Sequence, residues 1–237
     1  MGVAFDKMRE TLAGHAYIER YVQALTHEVK SPISAIRGAA EILEDPELSP
    51  QKRAQFLRNV QNETHRIQDL VDRMLKLSAL EARSALPDVE PVALAPIVRG
   101  IFESHEPIAA RKRLRMEASL GDEICVRGDA FLLHLALSNL VQNAVDFSAE
   151  GGTIRVSGRR EGAQLELAVE DDGPGIPSFA TARVFEKFFS LPRPDTGRKS
   201  TGLGLCFVRE VAALHQGAVR LENRPQGGLL ACLSLPV

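Results

Sequence analysis

The sequence predicts an α+β protein: a long antiparallel helical hairpin, two copies of which form a dimeric four-helix bundle, followed by an α/β sandwich domain. Three observations predict it. Ile18, Val22, Leu25, Val29, Ile36 and Leu43 recur at steps of four, three and seven, with Pro32 and Ala39 in the two remaining positions. That is the heptad seam of a helix packed along a bundle. A second stripe, Phe56, Val60, Ile67, Leu70, Met74 and Leu77, keeps the same spacing with Glu63 as the one polar lapse. Past Ala85-Leu86-Pro87 the heptads give way to short alternating segments mixed with helices, which marks a domain boundary near residue 86.

In chain order, residues 3 to 17 are helical in pattern, with Phe5, Met8 and Leu12 on one face. The step from Leu12 to Ile18 breaks the heptad phase, as a stutter does, with Gly14 inside the break. The first long helix then runs to about Glu44 and is stopped by Asp45-Pro46. Ser49-Pro50 reads as the N-cap and first-turn proline of the second helix. Two helices joined by a tight turn pair antiparallel. They cannot bury a sustained stripe alone; a second copy covers it, or else the downstream domain does. Within the second domain, Pro96 to about Arg113 and Asp129 to Phe147 read as helices, and a further helix opens after Thr201. Leu114–Leu120, Ile124–Val126, Thr153–Ser157, Leu165–Val169 and the stretches near Val219 and Leu230 read as strands. Leu191 to Ser200, rich in Pro, Arg and Gly, is expected to be mobile.

At 237 residues the chain is long enough for one or two domains with a real core. A formal charge of -2 and the absence of Trp leave no basic footprint or stacking platform, so a nucleic-acid partner is excluded from the reading. Cys125, Cys206 and Cys232 are odd in number, lack C-x-x-C spacing and lie in apolar runs, and so read as reduced core thiols. No stretch approaches the roughly 18 apolar residues of a membrane span, so no membrane contact is expected of this stretch of chain.

Chemistry concentrates in five places. His27 lies off the seam, about 200° around the helix from Leu25 and Val29, and its ring can be offered to a reactant. Glu28 beside it is expected to hydrogen-bond the ring and take its proton. Pro32, five residues on from His27, lacks a helical donor and crowds the carbonyl of Glu28, so the helix is expected to bend or loosen there. Asn139 and Asn143 share a face of the apolar helix, and an amide oxygen is a hard neutral ligand suited to Mg²⁺. Asp171-Asp172-Gly173-Pro174-Gly175 follows a strand, and its carboxylate can accept from an adenine amino group. Val184 to Phe189 is an apolar hinge in front of the Pro-, Arg- and Gly-rich segment. Thr201-Gly202-Leu203-Gly204-Leu205 opens a helix whose free amides suit phosphates.

The order and spacing of these signals, behind a His-Glu-x-x-Ser-Pro helix, resembles the sensor histidine kinases of bacterial two-component systems over essentially the whole chain. The stretch from Met8 to Leu43 resembles their CreC-type branch in particular. The resemblance implies a HAMP-like relay end at residues 1–17. It implies a dimerisation and phosphotransfer domain at 18–86, and an ATP-binding domain of the gyrase, chaperone and histidine-kinase type at 87–237. It implies ATP-dependent autophosphorylation of His27, with Glu28 as acid/base partner, then transfer to an aspartate of a cognate response regulator. Ser31 sits where relatives carry a residue tied to dephosphorylating that regulator. ATP and Mg²⁺ are the implied cofactors: Asn143, assisted by Asn139, for the metal; Asp171 for the adenine amino group; Phe147 against the base. Gly173 and Gly175 would shape the pocket, Gly202, Leu203 and Gly204 would anchor the lid, and Lys187 would meet phosphate. Asp146 departs from the family pattern, where a basic residue helps to hold phosphates; Lys187, Arg198 and Lys199 are the candidates to replace it. The opening Met-Gly ahead of relay-like sequence suggests that a sensor and membrane spans belong upstream, making this the cytoplasmic part of a bacterial inner-membrane protein.

Two other functions compete with this one. An ATPase like gyrase or the chaperones resembles the same fold but needs a carboxylate base four residues before the metal-binding Asn, where this chain has the amide of Asn139. A non-catalytic dimeric scaffold would have eroded nucleotide boxes, and these are intact.

Overall fold

The computed structural model describes residues 2–86, 89–121, 124–197 and 199–237, with side chains from residue 22 onward. The expected stripe of Phe5, Met8 and Leu12, the phase break to Ile18, and the sites at Pro87 and Arg198 therefore lie outside the described residues or side chains. Two compact units divide the chain, residues 1–76 and 77–237.

The first unit is the predicted hairpin: α1 (Gly2–Leu43) and α2 (Pro50–Glu81), whose last turn goes with the second unit. Its turn is fastened by side chains. The Glu47 amide donates to Asp45 Oδ1 at 2.9 Å, and the Arg53 guanidinium reaches back to the carbonyls of Leu43 (3.0 Å) and Asp45 (2.9 Å), satisfying acceptors that a helix end leaves open. Ser49 Oγ accepts from the Lys52 amide at 3.4 Å, ahead of Pro50 in the first turn of α2, as its sequence position predicts. The seam positions Leu25, Val29, Ile36 and Leu43 are half-buried, and Pro32 and Ala39 are buried. Helix α1 runs unbroken through Pro32, so the loosening expected there does not interrupt it. The ring fills a seam position and is buried there.

The second unit holds a five-stranded sheet in the order β2-β4-β5-β7-β6: β2 (Arg115–Ser119), β4 (Thr153–Glu161), β5 (Gln164–Glu170), β7 (Leu229–Pro236) and β6 (Ala218–Asn223). β2 is parallel to β4 and every other pair is antiparallel. Register places Leu165 opposite Leu235, Leu167 opposite Leu233 and Val169 opposite Ala231, all buried on one face. The other face carries charge pairs such as Arg220–Glu166 and Arg155–Glu117. Helices α3 (Leu94–Arg111), α4 (Ala130–Phe147) and α5 (Gly204–Leu214) supply buried residues such as Ile101, Leu137 and Val208.

Two features escaped the sequence reading. A two-stranded ribbon pairs β1 (Glu90–Ala93) with β3 (Cys125–Gly128); of the two only β3 is expected from the sequence, and so short a ribbon tolerates Pro91. Cys125, expected in the core, is exposed on that ribbon, while Cys206 and Cys232 are buried. The N-terminus of α4 is set by Asp129, whose carboxylate accepts from the Leu132 amide at 3.0 Å. His215 completes this corner: Nδ1 donates to the Val211 carbonyl (2.8 Å) and Nε2 accepts from the Asp129 amide (3.1 Å), so its tautomer is dictated.

Candidate active site

In the first unit His27 is exposed, as its off-seam position predicts. Glu28 does not turn to its neighbour's ring. Its half-buried carboxylate pairs with Arg66 of α2 at 3.5 Å, and Arg66 also pairs with Glu63 at 3.8 Å. Consecutive helical side chains diverge, which is why Glu28 faces the partner helix. The same triad accounts for the polar lapse at Glu63, a seam position occupied by an ion pair. The Thr26 hydroxyl donates to the Val22 carbonyl at 2.7 Å, and Ser31 is exposed.

In the second unit a cavity is lined by Asn143 and Phe147 of α4, Asp171 and Gly175 after β5, and Gly202 and Gly204 before and at the start of α5. Six of the sequence-predicted residues thus meet around one space. Asp171 is 5% exposed, and its Oδ1 accepts from the amides of Gly173 (2.8 Å) and Leu229 (3.2 Å). Oδ2 takes no hydrogen bond from the other described residues and is left for a ligand. Burial pushes the Asp171 carboxyl above its ordinary value, against the two amides and the Arg224 charge. Gly173 lies against the Phe147 carbonyl, which a Cβ would approach to 2.7 Å. Gly175 has φ +71°, and a Cβ there would meet Asn223 Oδ1 at 2.6 Å. That amide closes the loop, accepting from the Ile176 amide at 2.7 Å and donating to the Ile176 carbonyl at 2.8 Å. Nothing in the sequence around Asn223 announces this role.

Gly202, at φ +65°, sits against Phe188, itself at φ +65°; the Phe188 amide donates to the Gly202 carbonyl at 3.0 Å. Asn139 lies outside the cavity lining. Its Nδ2 donates to the Leu135 carbonyl at 2.8 Å, and its Oδ1 would stand 3.0 Å from a Cβ on Gly204. Leu203 is fully buried beneath the start of α5. Lys187 does not line the cavity: its Nζ pairs with Glu81 at 2.7 Å. The cations near Asp146 are two others that the sequence reading did not nominate. Arg193 Nη2 pairs with Asp146 Oδ2 at 2.5 Å. Lys112 Nζ pairs with Asp195 at 2.7 Å and donates to the carbonyls of Val145 (2.6 Å), Asp146 (3.3 Å) and Ser148 (3.4 Å). The Leu191–Ser200 segment, expected to be mobile, is thus held at two points.

Comparison with known proteins bears on both units. The histidine kinase-, DNA gyrase B- and HSP90-like ATPase family matches residues 128–237, and the His Kinase A phospho-acceptor domain matches residues 18–83. Sensor protein CreC of Escherichia coli (strain K12) is 43% identical over 232 residues, which cover 98% of this chain and 48% of that protein. The chain spans about half the length of such curated relatives. Among solved structures, full-length ShkA in complex with AMPPNP has a TM-score of 0.67 at 26% identity, over 92% of this chain and 45% of that one. The histidine kinase ThkA in complex with the response regulator protein TrrA has a TM-score of 0.75 over 98% of this chain and 65% of that one; at 20% identity it speaks for the fold. The two domain matches fall in sequence on the hairpin and on the sheet unit, and the similarity to CreC runs over 98% of this chain: the chain belongs to the sensor histidine kinases, of CreC type.

Proposed function

We propose that the chain binds ATP in the cavity of its second unit, transfers the γ-phosphoryl group to His27, and passes it to an aspartate of a response regulator. The observation that carries this reading is a buried carboxylate, Asp171, with one oxygen fixed by amides and the other unclaimed, in a mostly apolar cavity within a chain that also exposes His27 on a helix. Asp171 Oδ2 accepts from the adenine amino group, Phe147 lies against the base, and Gly173 and Gly175 leave room for it. Gly202, Leu203 and Gly204 anchor the lid and turn amides toward phosphate. A His27 ring nitrogen attacks the γ-phosphorus, the bond to the bridging oxygen breaks, and ADP leaves. Glu28 takes the ring proton after leaving Arg66, and Ser31 serves the reverse reaction on the regulator. Lys187, held by Glu81, stands by this reading outside the first contacts with phosphate.

Among the described residues no cluster of three or more His, Cys, Asp or Glu could hold a metal alone. Mg²⁺ keeps waters and binds chiefly through nucleotide phosphates, and the Asn143 amide oxygen, assisted by Asn139, would be the protein group that holds it. When bound it neutralises phosphate charge as the γ-phosphoryl group moves. Asn139 in place of a carboxylate base disfavours ATP hydrolysis by water.

We read residues 18–86 as the dimerisation and phosphotransfer domain and 87–237 as the ATP-binding domain, with 1–17 the end of an upstream relay. Apolar residues left exposed on the hairpin, among them Ile33 and Leu75, support a homodimer. No described helix is long and apolar enough to cross a membrane. The test is labelled ATP with Mg²⁺. Wild type should acquire an acid-labile, base-stable label, as a phosphoramidate is. His27→Gln should bind nucleotide yet remain unlabelled; a labelled His27→Gln protein refutes the assignment.

A further inference from the structure

The ion pairs around Asp146 are arranged in a way that the proposed phosphotransfer does not explain. Asp146 stands three residues after Asn143, which lines the cavity, so the two side chains lie on neighbouring parts of one helix face. Its carboxylate is only 15% exposed and is held from both sides. Gln142 Nε2 donates to Oδ1 at 3.0 Å, and Arg193 pairs with Oδ2. Gln142 is itself oriented from α3, since its Oε1 faces Nε2 of the buried His105 at 3.1 Å. Asp146 is therefore a fixed anion one helical turn from the cavity.

Arg193 belongs to the segment between the cavity residue Leu191 and the Gly202 turn. Its guanidinium spends one arm on Asp146, while its Nε is buried and has no hydrogen-bond partner among the described residues. A buried donor without a partner is costly, and a guanidinium is shaped for two-pronged contact with phosphate. Two residues on, Asp195 is tied to Lys112, which is anchored on the carbonyls at the end of α4. The segment is pinned by two ion pairs of opposite polarity. The Lys112 end is locked by four oxygen contacts, and the Arg193 end by one carboxylate.

We propose that Asp146 is an internal competitor of nucleotide phosphate for Arg193: without nucleotide it holds the guanidinium, and a polyphosphate takes Arg193 over while the Lys112–Asp195 pair keeps the segment in reach. This rests on the nucleotide-binding reading above. It makes Arg193 a phosphate-binding residue and Asp146 a brake on binding that acts on phosphorylated ligands alone.

The test is titration calorimetry of wild type, Arg193→Gln, Arg193→Lys and Asp146→Asn with MgATP and with adenosine, each protein first checked by a thermal melt. Arg193→Gln should bind MgATP about tenfold more weakly, within the usual range of coupling energies, and adenosine as wild type does. Arg193→Lys should recover part of the loss. Asp146→Asn should bind MgATP several-fold more tightly with adenosine unchanged. An unchanged MgATP affinity in Arg193→Gln, or an unchanged or weakened one in Asp146→Asn, overturns the proposal. A wild type that binds neither ligand instead overturns the nucleotide-binding reading beneath it.

Discussion

Asp171 and Asp172 are adjacent, yet the fold drives them in opposite directions. Burial raises the Asp171 carboxyl above 3.8. For Asp172 burial also pushes upward, but the Thr153 amide and Arg224 outweigh it and the net shift is downward. Between 3.8 and the raised Asp171 value the folded chain binds more protons than the unfolded one, so this group makes stability fall as pH rises. Asp172 does the reverse: its contribution is present above 3.8 and is lost as pH falls through its lowered folded value. Melts across the acid range should therefore show Asp171→Asn at least as stable as wild type at neutral pH and Asp172→Asn less stable there. Asp171→Asn should also lose discrimination of ATP over GTP, because its amide keeps one acceptor but replaces the other with a donor. Equal stability of the two variants at neutral pH, or intact base selectivity, would contradict this account. The thiols separate as cleanly. Burial pushes Cys206 up to about 11 and raises Cys232, whereas Cys125 is exposed. A maleimide at neutral pH should label the native protein at Cys125 and the denatured protein at all three, read by mass spectrometry.

The element most sensitive to a single methyl group is the turn before α5. Alanine at 202 would keep a left-handed backbone, costing about 1–2 kcal/mol, and would put its Cβ 2.5 Å from the Phe188 carbonyl carbon. Gly197 has nearly the same φ, +64°, with nothing within 4 Å of its Cβ. Gly197→Ala therefore measures the backbone cost alone. Gly202→Ala should melt lower than Gly197→Ala and lose nucleotide affinity; equal melting points would mean that the Phe188 contact is yielding. In α1, Pro32→Ala restores a helical donor and should stabilise the hairpin by up to about 3 kcal/mol. ATP affinity should be unchanged, but the balance of His27 phosphorylation and regulator dephosphorylation altered. Higher stability with both rates at wild-type values would reduce Pro32 to a tolerated seam residue.

For the whole molecule, the apolar side chains left in solvent by a lone hairpin matter most. Val22, Ile33, Leu57, Val71 and Leu75 are 45–65% exposed, more apolar surface than two polar-faced helices would leave in a finished monomer. The homodimer proposed above would cover them with a second copy. Leu75→Glu combined with Val71→Asp should shift sedimentation toward monomer and leave nucleotide binding by the second unit intact. A pair of substitutions that leaves the mass unchanged would place the dimer contact elsewhere.

What could be read from the sequence alone had a local cause. Heptad spacing marks the seam because side-chain direction follows helical period, so the covered positions of α1 and α2 were visible from Leu25 onward, while the seam position Val22 is exposed. Ser49 and the glycines of the two turns were visible because caps and left-handed backbone restrict which residues can serve. The gathering of Asn143, Asp171 and Gly202 around one cavity came through family resemblance, not through spacing. Tertiary structure alone decided the ionic partners. Lys187 meets Glu81 across 106 positions, Asn223 meets Ile176 across 47, and Arg193 rather than Lys187 reaches Asp146. Charge pairing has no period and no local propensity: any long cation can serve any carboxylate that the fold brings within reach, so only the packed chain selects among them.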